Sequence, residues 1–215
     1  MSLRPGARAS SWLWLDSCRV ASGIENCDMT TDFESDSVEL LQLLRDADRI
    51  VLDDYNKFGR LAWFIATQFY RTPRMARRVV RSAAGLGSAI NIEAAWGLLR
   101  TIYSTTVGFS ILASRERTKM TFLDPPNGEE FITGDQPIIN NLRAVGLPDG
   151  VVPAELELYY PLDPRRALVV NFEGTEPTVE RTAASATEVL RYNRLIKEAS
   201  EGQVYARSDR ALAGL

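Results

Sequence analysis

The grammar of this chain changes once, after Arg117, and that change constrains the fold more than any composition figure does. Before it, apolar residues recur every three or four positions; after it, they alternate or run in short blocks cut by Asp, Pro and Gly. Spacing of three and four buries one stripe of a helix, whereas alternation buries one face of a strand. The order predicts an α+β protein: a helical N-terminal half packed on a mostly antiparallel C-terminal sheet, with a closing helix.

The strongest stripe is Val51, Tyr55, Phe58, Ala62, Ile65 and Phe69, widened by Leu61 and Phe64, which predicts a helix over 49–71. Pro73 ends it, because its ring disfavours α geometry at Thr72, and the same proline suits the start of a second helix over 74–84. Gly85 and Gly87 are expected to close that helix. Ala95, Leu99, Ile102, Thr106 and Phe109 form a further stripe over 92–113, although Thr101, Ile102, Thr105, Thr106 and Val107 are β-branched and lower its helix propensity. Residues 1–36 lack a period and end in an acidic, Ser/Thr-rich stretch, so an irregular segment is expected there. Ser37 then serves as N-cap of a short helix built on Val38, Leu40, Leu41 and Leu44. Residues 37–215 are expected to form a single α+β domain.

In the second half, 120–123 and 130–133 flank the turn Asp124-Pro125-Pro126-Asn127-Gly128 and predict a hairpin. Leu156, Leu158 and Tyr160 alternate with Glu155, Glu157 and Tyr159, as in a strand with one wet face. The stretch 167–172 is apolar throughout and suits a central strand. A last helix is expected over 179–199, with a short extended piece at 203–206 rejoining the sheet.

Composition excludes more than it suggests. At 215 residues with 45% hydrophobic content, the chain can bury a core without staples. A net charge of −3 gives no overall field toward nucleic acid or membrane. There is no histidine, which removes Ser-His-Asp and Cys-His catalysis and His-ligated zinc. Cys18 and Cys27, a lone pair, fit neither a zinc site nor a disulfide framework, so a reducing compartment is expected. Trp12-Leu13-Trp14-Leu15 is too short for a signal-peptide core, and the uncharged run 101–114 falls short of the ~20 residues of a membrane span. The expectation is a cytoplasmic protein without a membrane partner. No P-loop, GxGxxG, GxSxG or CxxC is present, and no cofactor or metal is assigned.

Polar residues in apolar surroundings mark the candidate site. Asp135 sits in the turn Gly134-Asp135-Gln136-Pro137, directly after the apolar Phe131-Ile132, where a carboxylate could act as base, metal ligand or grip on a basic group. An Asx-type cap of nearby amides is the plainer reading. Gln68 and Arg71 lie three apart on one helix face, and Arg71 could meet Asp135 or an anion through its planar fork. Asn193 falls within the apolar face of the last helix. Arg71, Arg74, Arg77, Arg78 and Arg81 form the one strong basic cluster, either a phosphate-binding edge or a solvated face paired with nearby Asp residues.

Taken in order, these segments carry a resemblance. Phe64-Ile65-Ala66-Thr67-Gln68-Phe69-Tyr70-Arg71-Thr72-Pro73 resembles the Gln-x-x-Arg-Thr-Pro helix end of the proteins grouped as domain of unknown function 4238. The stretch from Phe131 through Pro137 is similar to that family's Phe-Ile-Thr-Ser-Asp-Asn-Pro, with Gly134 for Ser and Gln136 for Asn. Tyr160-Pro161-Leu162-Asp163-Pro164 is similar to its Pro-Leu-Ser-Pro, and Asn193 matches the Asn of its closing helix. The family's His-Tyr-x-Pro-like opening has no counterpart here, so the resemblance implies an N-terminally truncated or diverged member. It also implies that Gln68, Arg71, Asp135 and Asn193 converge.

Three functions compete for that cluster. One is an enzyme directed at phosphoesters or nucleotides, with Asp135 as acid/base or metal ligand and Arg71 as anion clamp. The second is a non-catalytic binding module for a small anion or a nucleic acid, with Arg74, Arg77, Arg78 and Arg81 at its edge. The third is an inactive structural remnant whose polar residues lock the core.

Overall fold

The computed structural model describes residues 29–83, 91–144 and 156–215. Helices α1 (Met29–Arg45), α2 (Ile50–Asp53), α3 (Tyr55–Tyr70), α4 (Pro73–Ala83) and α5 (Ile92–Ala113) come first. Strands β1 (Lys119–Asp124), β2 (Thr133–Gly134) and β3 (Ile139–Asn140) lead through a short helix α6 (Asn141–Ala144) to β4 (Glu157–Asp163), β5 (Arg166–Asn171) and β6 (Thr178–Ala183). Helix α7 (Ala186–Ala199), strand β7 (Val204–Tyr205) and helix α8 (Asp209–Ala213) follow. This is the α+β order that the change of period predicts.

The main sheet runs β3-β4-β5-β1-β6. Its pairings are antiparallel except for β1 with β6, which is parallel. Because successive side chains point to opposite faces, the central strands feed two cores. Met120, Phe122, Leu158, Tyr160, Leu162, Leu168 and Val170 face α1–α3 and α5. Leu123, Ile139, Tyr159, Ala167 and Val169 face α7 through Val189, Tyr192, Ile196 and Ala199. Both faces are therefore covered, and the expected wet face of 155–160 is corrected: Tyr159 is fully buried.

Local chemistry explains where the elements depart from the periodic reading. The helix expected over 49–71 breaks at Asp54, whose carboxylate accepts the N–H groups of Asn56 and Lys57 and starts α3 afresh. Tyr55 consequently leaves the buried stripe and is exposed. Helix α1 begins at Met29, so residues 29–36 are helical and Ser37 lies inside the helix instead of capping it. The 120–133 hairpin does not form: β1 pairs with β5 and β6, while the Phe131 N–H donates to the Pro164 carbonyl. The prolines at 125 and 126 have no N–H for a ladder, so the segment leaves the sheet there.

The closing helix starts later than expected. Residues 178–183 are strand β6, and Ser185 with Glu188 forms a reciprocal capping box that opens α7. The 203–206 piece does not rejoin the main sheet; β7 pairs with β2 in a separate two-stranded ribbon. Gly85, Gly87, Glu155, the cysteines and the tryptophan-rich cluster at 12–15 lie outside the described residues.

Candidate functional site

The extended segment 130–136 is clamped at three points, each by a polar side chain. At its start, Asn193 on the inner face of α7 engages two main-chain groups. Its Oδ1 accepts the Ile132 N–H at 3.0 Å and its Nδ2 donates to the Glu130 carbonyl at 2.9 Å. Asn193 is buried, and a side-chain amide used from both ends satisfies two groups of a strand that has no ladder partner there.

At the end of the segment, Asp135 holds the loop that follows α7. Its Oδ1 accepts the Glu201 N–H at 3.0 Å, and its Oδ2 accepts those of Gly202 at 2.6 Å and Gln203 at 3.2 Å. The Asp135 N–H donates to the Gln203 carbonyl. Gly134 next to it is required for space: a Cβ there would meet the Ser200 side chain and the Gln203 carbonyl. Its φ is not positive, so the backbone freedom of glycine is not what the position uses.

The third clamp joins the segment to the helices. Pro73 opens α4, which leaves Thr72 in the position before the first turn. The Thr72 hydroxyl donates to Gln136 Oε1 and its oxygen lies 3.4 Å from the Met75 nitrogen, whose N–H it accepts. Gln136 Nε2 donates in turn to the Ile138 carbonyl at 2.7 Å. Thr72 and Gln136 are both buried.

Of the sequence-predicted residues, Asp135 and Asn193 act on the same segment, each through main-chain partners. Gln68 is buried one turn before Thr72. Arg71 is half-buried as the C-cap of α3, and among the described residues no ion pair joins it to Asp135. The arginine that feels Asp135 is Arg74: burial and then the charge of Arg81 lower its pKa, while Asp135 and Glu198 oppose that shift. Arg74 donates to the Glu198 carbonyl at 2.9 Å, and Arg77 forms an ion pair with Glu201. Two arginines of α4 therefore dock on the C-terminal end of α7, where cations favour the helix dipole. Arg78 is half-buried and Arg81 exposed.

Sequence reasoning misses Thr72, Gln136 and the docking role of Arg74 and Arg77. The Thr-Pro pair, an N-cap residue followed by a first-position proline, is the signal that points to Thr72. It also misses a second polar patch under α7. Tyr159 stacks on Tyr192 with ring centroids 4.2 Å apart, and the Arg191 guanidinium lies 4.3 Å from the Tyr192 ring centre. The Tyr159 hydroxyl is buried without a hydrogen-bond partner.

Among the described residues, no group of three or more His, Cys, Asp or Glu side chains could hold a metal ion. Among the same residues, no helix is long and apolar enough to cross a membrane. A family model described as "Protein of unknown function (DUF4238)" matches residues 94–210. The match takes in segment 130–136 and Asn193 and leaves Gln68 and Arg71 outside. No curated protein and no solved structure matches the chain.

Proposed function

This chain belongs to the DUF4238 family, and from that premise we propose that it acts as a non-catalytic binding module in which Asp135, Asn193 and the Thr72–Gln136 pair lock segment 130–136 between α4 and α7. The observation that supports this reading most is the state of Asp135, whose two oxygens accept three main-chain N–H groups. A general base or metal ligand must turn a lone pair toward a reacting group. Here most of that capacity is spent on the loop at 201–203. Arg74 and Arg77, which an anion clamp would need free, are engaged with Glu198 and Glu201.

The binding edge that remains brackets α4, with Arg71 just before it and Arg81 in its last turn, and suits a phosphate-bearing ligand held by surface charge. Such binding is salt-sensitive by nature.

Replacing Asp135 by Ala leaves three amides without their acceptor. A hydrogen bond to a charged group is worth roughly 1.5–3 kcal/mol, and the loop is open to water, so the expected cost is about 2–3 kcal/mol. The melting temperature should fall by about 4–12 °C for a chain of this size. RNA retention at low salt should stay unchanged in Asp135→Ala and weaken in Arg71→Gln/Arg81→Gln. Phosphodiesterase or nucleotidase activity of the wild type that Asp135→Asn abolishes, with the fold intact, would contradict the proposal.

A further inference from the structure

Helix α5 packs on α3 through its small residues, and this leaves its most apolar side outward. Ser104, Gly108 and Ile111 are its buried positions. At Gly108 an added Cβ would lie 3.5 Å from the backbone of Ala62 and Trp63, so the two helices approach closely there. The stripe Ala95, Leu99, Ile102, Thr106, Phe109 and Ala113 points the opposite way, because 100° per residue places it about half a turn from that face. Phe109 is 71% exposed and Ile102 49%, with Leu98 beside them at 68%. This corrects the sequence expectation that the stripe is the buried one. Surfaces of this kind mark interaction sites more often than they occur by chance.

We infer that this stripe is the seam of an antiparallel homodimer. Its spacing of four, three, four, three, four is that of a seam between paired helices. It is also self-complementary about a twofold axis beside Ser104, as an isologous contact demands. In that register Ala95 faces Ala113, Leu99 faces Phe109 and Ile102 faces Thr106 of the second copy, so a bulky residue meets a smaller one at the axis and the ends close on alanines. Between Ala94 and Ser114 the only charged residue is Arg100, which is half-buried on the side away from the stripe. Antiparallel pairing also sets the two helix dipoles favourably.

The helix is 22 residues long, hence about 33 Å, and about 10 Å wide with side chains. That strip is smaller than the ~800 Å² per partner of a standard stable interface, so the dimer should dissociate in the micromolar range. This surface is independent of the Asp135 lock.

Sedimentation velocity on the full chain, from about 1 to about 100 µM to bracket that range, should show a shift from 24.0 kDa toward twice that mass. Phe109→Glu and Ile102→Glu should abolish the shift with unchanged circular dichroism and melting temperature, since both side chains are exposed. In a Cys18→Ser/Cys27→Ser background, Ala95→Cys combined with Ala113→Cys should give a covalent dimer on oxidation. Neither alone should do so, because the same position in the two copies is about 27 Å apart along the seam. A chain that stays monomeric throughout, as when its own residues 1–28 cover the stripe, overturns the inference. So does a dimer indifferent to Phe109→Glu, or one in which Ala95→Cys alone cross-links, as a parallel pair would.

Discussion

On the face of the sheet that α1–α3 and α5 cover, the core is built from aliphatic side chains and phenylalanines with Tyr160 at its margin, and its buried polar residues, Ser37, Gln68 and Ser104, sit on the helices. On the face that α7 covers, the apolar cluster surrounds polar groups: Asn193 on the helix, Thr133 on β2, and the Tyr159 hydroxyl. The difference tracks what each side must hold. Helices α1–α3 pair most of their main chain internally, with Arg115 on the Leu52 and Asp53 carbonyls and Arg166 on that of Arg45 at their ends. Segment 130–136 pairs with no strand for most of its length, so its main-chain groups need other partners: Asn193 meets the Ile132 N–H and the Glu130 carbonyl, while the Phe131 and Asp135 N–H groups donate to the carbonyls of Pro164 and Gln203. The family match begins within α5 and contains every element of the α7 side. The sheet and α7 with Asn193 thus lie inside the match, and α1–α4 with Thr72 lie outside it.

The largest effect expected from this contrast is a difference in tolerance between exchanges of similar shape. Leu61→Met, on the apolar side, keeps volume and hydrophobicity and should cost under about 1.5 kcal/mol. Asn193→Leu keeps the branched skeleton with bulkier ends but leaves the Ile132 N–H and the Glu130 carbonyl unpaired in a buried place. The cost of orphaned groups is about 1–3 kcal/mol each, so a loss of about 3 kcal/mol and a drop of about 6–12 °C in melting temperature are expected. Thermal melts of both variants decide it: equal costs would mean that the polar bonds add nothing beyond packing.

Part of this contrast is legible in the amino-acid sequence alone. The change of period after Arg117 carries the α+β class, because helices and strands bury side chains at different intervals. Asp135 and Asn193 stand out as polar residues in apolar runs, but their partners do not. Both bind main-chain groups, which every residue type supplies and no motif announces. The stripe of α5 shows a different limit. Periodicity reveals that a helix has an apolar side, yet Ser104 and Gly108 decide which side packs, since small residues let α3 come close. The hairpin reading fails because turn residues alone do not name the strand that pairs; β1 finds its partners much later in the chain, at β5 and β6.

A smaller effect tests whether every polar group on the α7 side is useful. The Tyr159 hydroxyl is buried with no partner, so Tyr159→Phe should raise stability by about 1 kcal/mol at neutral pH. Burial pushes the Tyr159 pKa well above the ordinary tyrosine value, with Tyr192 adding to it and Arg191 opposing. Burial also raises Tyr192. Above the usual value of about 10, the unfolded chain loses protons that the folded chain keeps, so stability falls as pH rises from there. Urea unfolding at stepped alkaline pH should show a shallower fall in Tyr159→Phe. A variant less stable than wild type at pH 7 would mean that the hydroxyl has a partner after all.

The smallest effect separates the two ends of α7. The helix is anchored inward by Asn193 and capped outward by Ser185 and Glu188. Hydrogen bonds from the Ser185 N–H and then its hydroxyl lower the Glu188 pKa below the usual carboxylate value. A lowered folded-state pKa contributes stability that is present above the unfolded value of about 4.3 and is lost as pH falls through the folded one. Glu188→Gln keeps an acceptor in the box but loses the charge next to the helix N-terminus. Because the site is solvent-screened, the expected loss at neutral pH is under about 0.5 kcal/mol. Wild type and variant should converge in urea titrations as the pH drops below 4, where both carry a neutral group. If Glu188→Gln costs as much as Asn193→Leu at neutral pH, the cap and not the buried amide holds α7, and the contrast between the two faces of the sheet loses its main support.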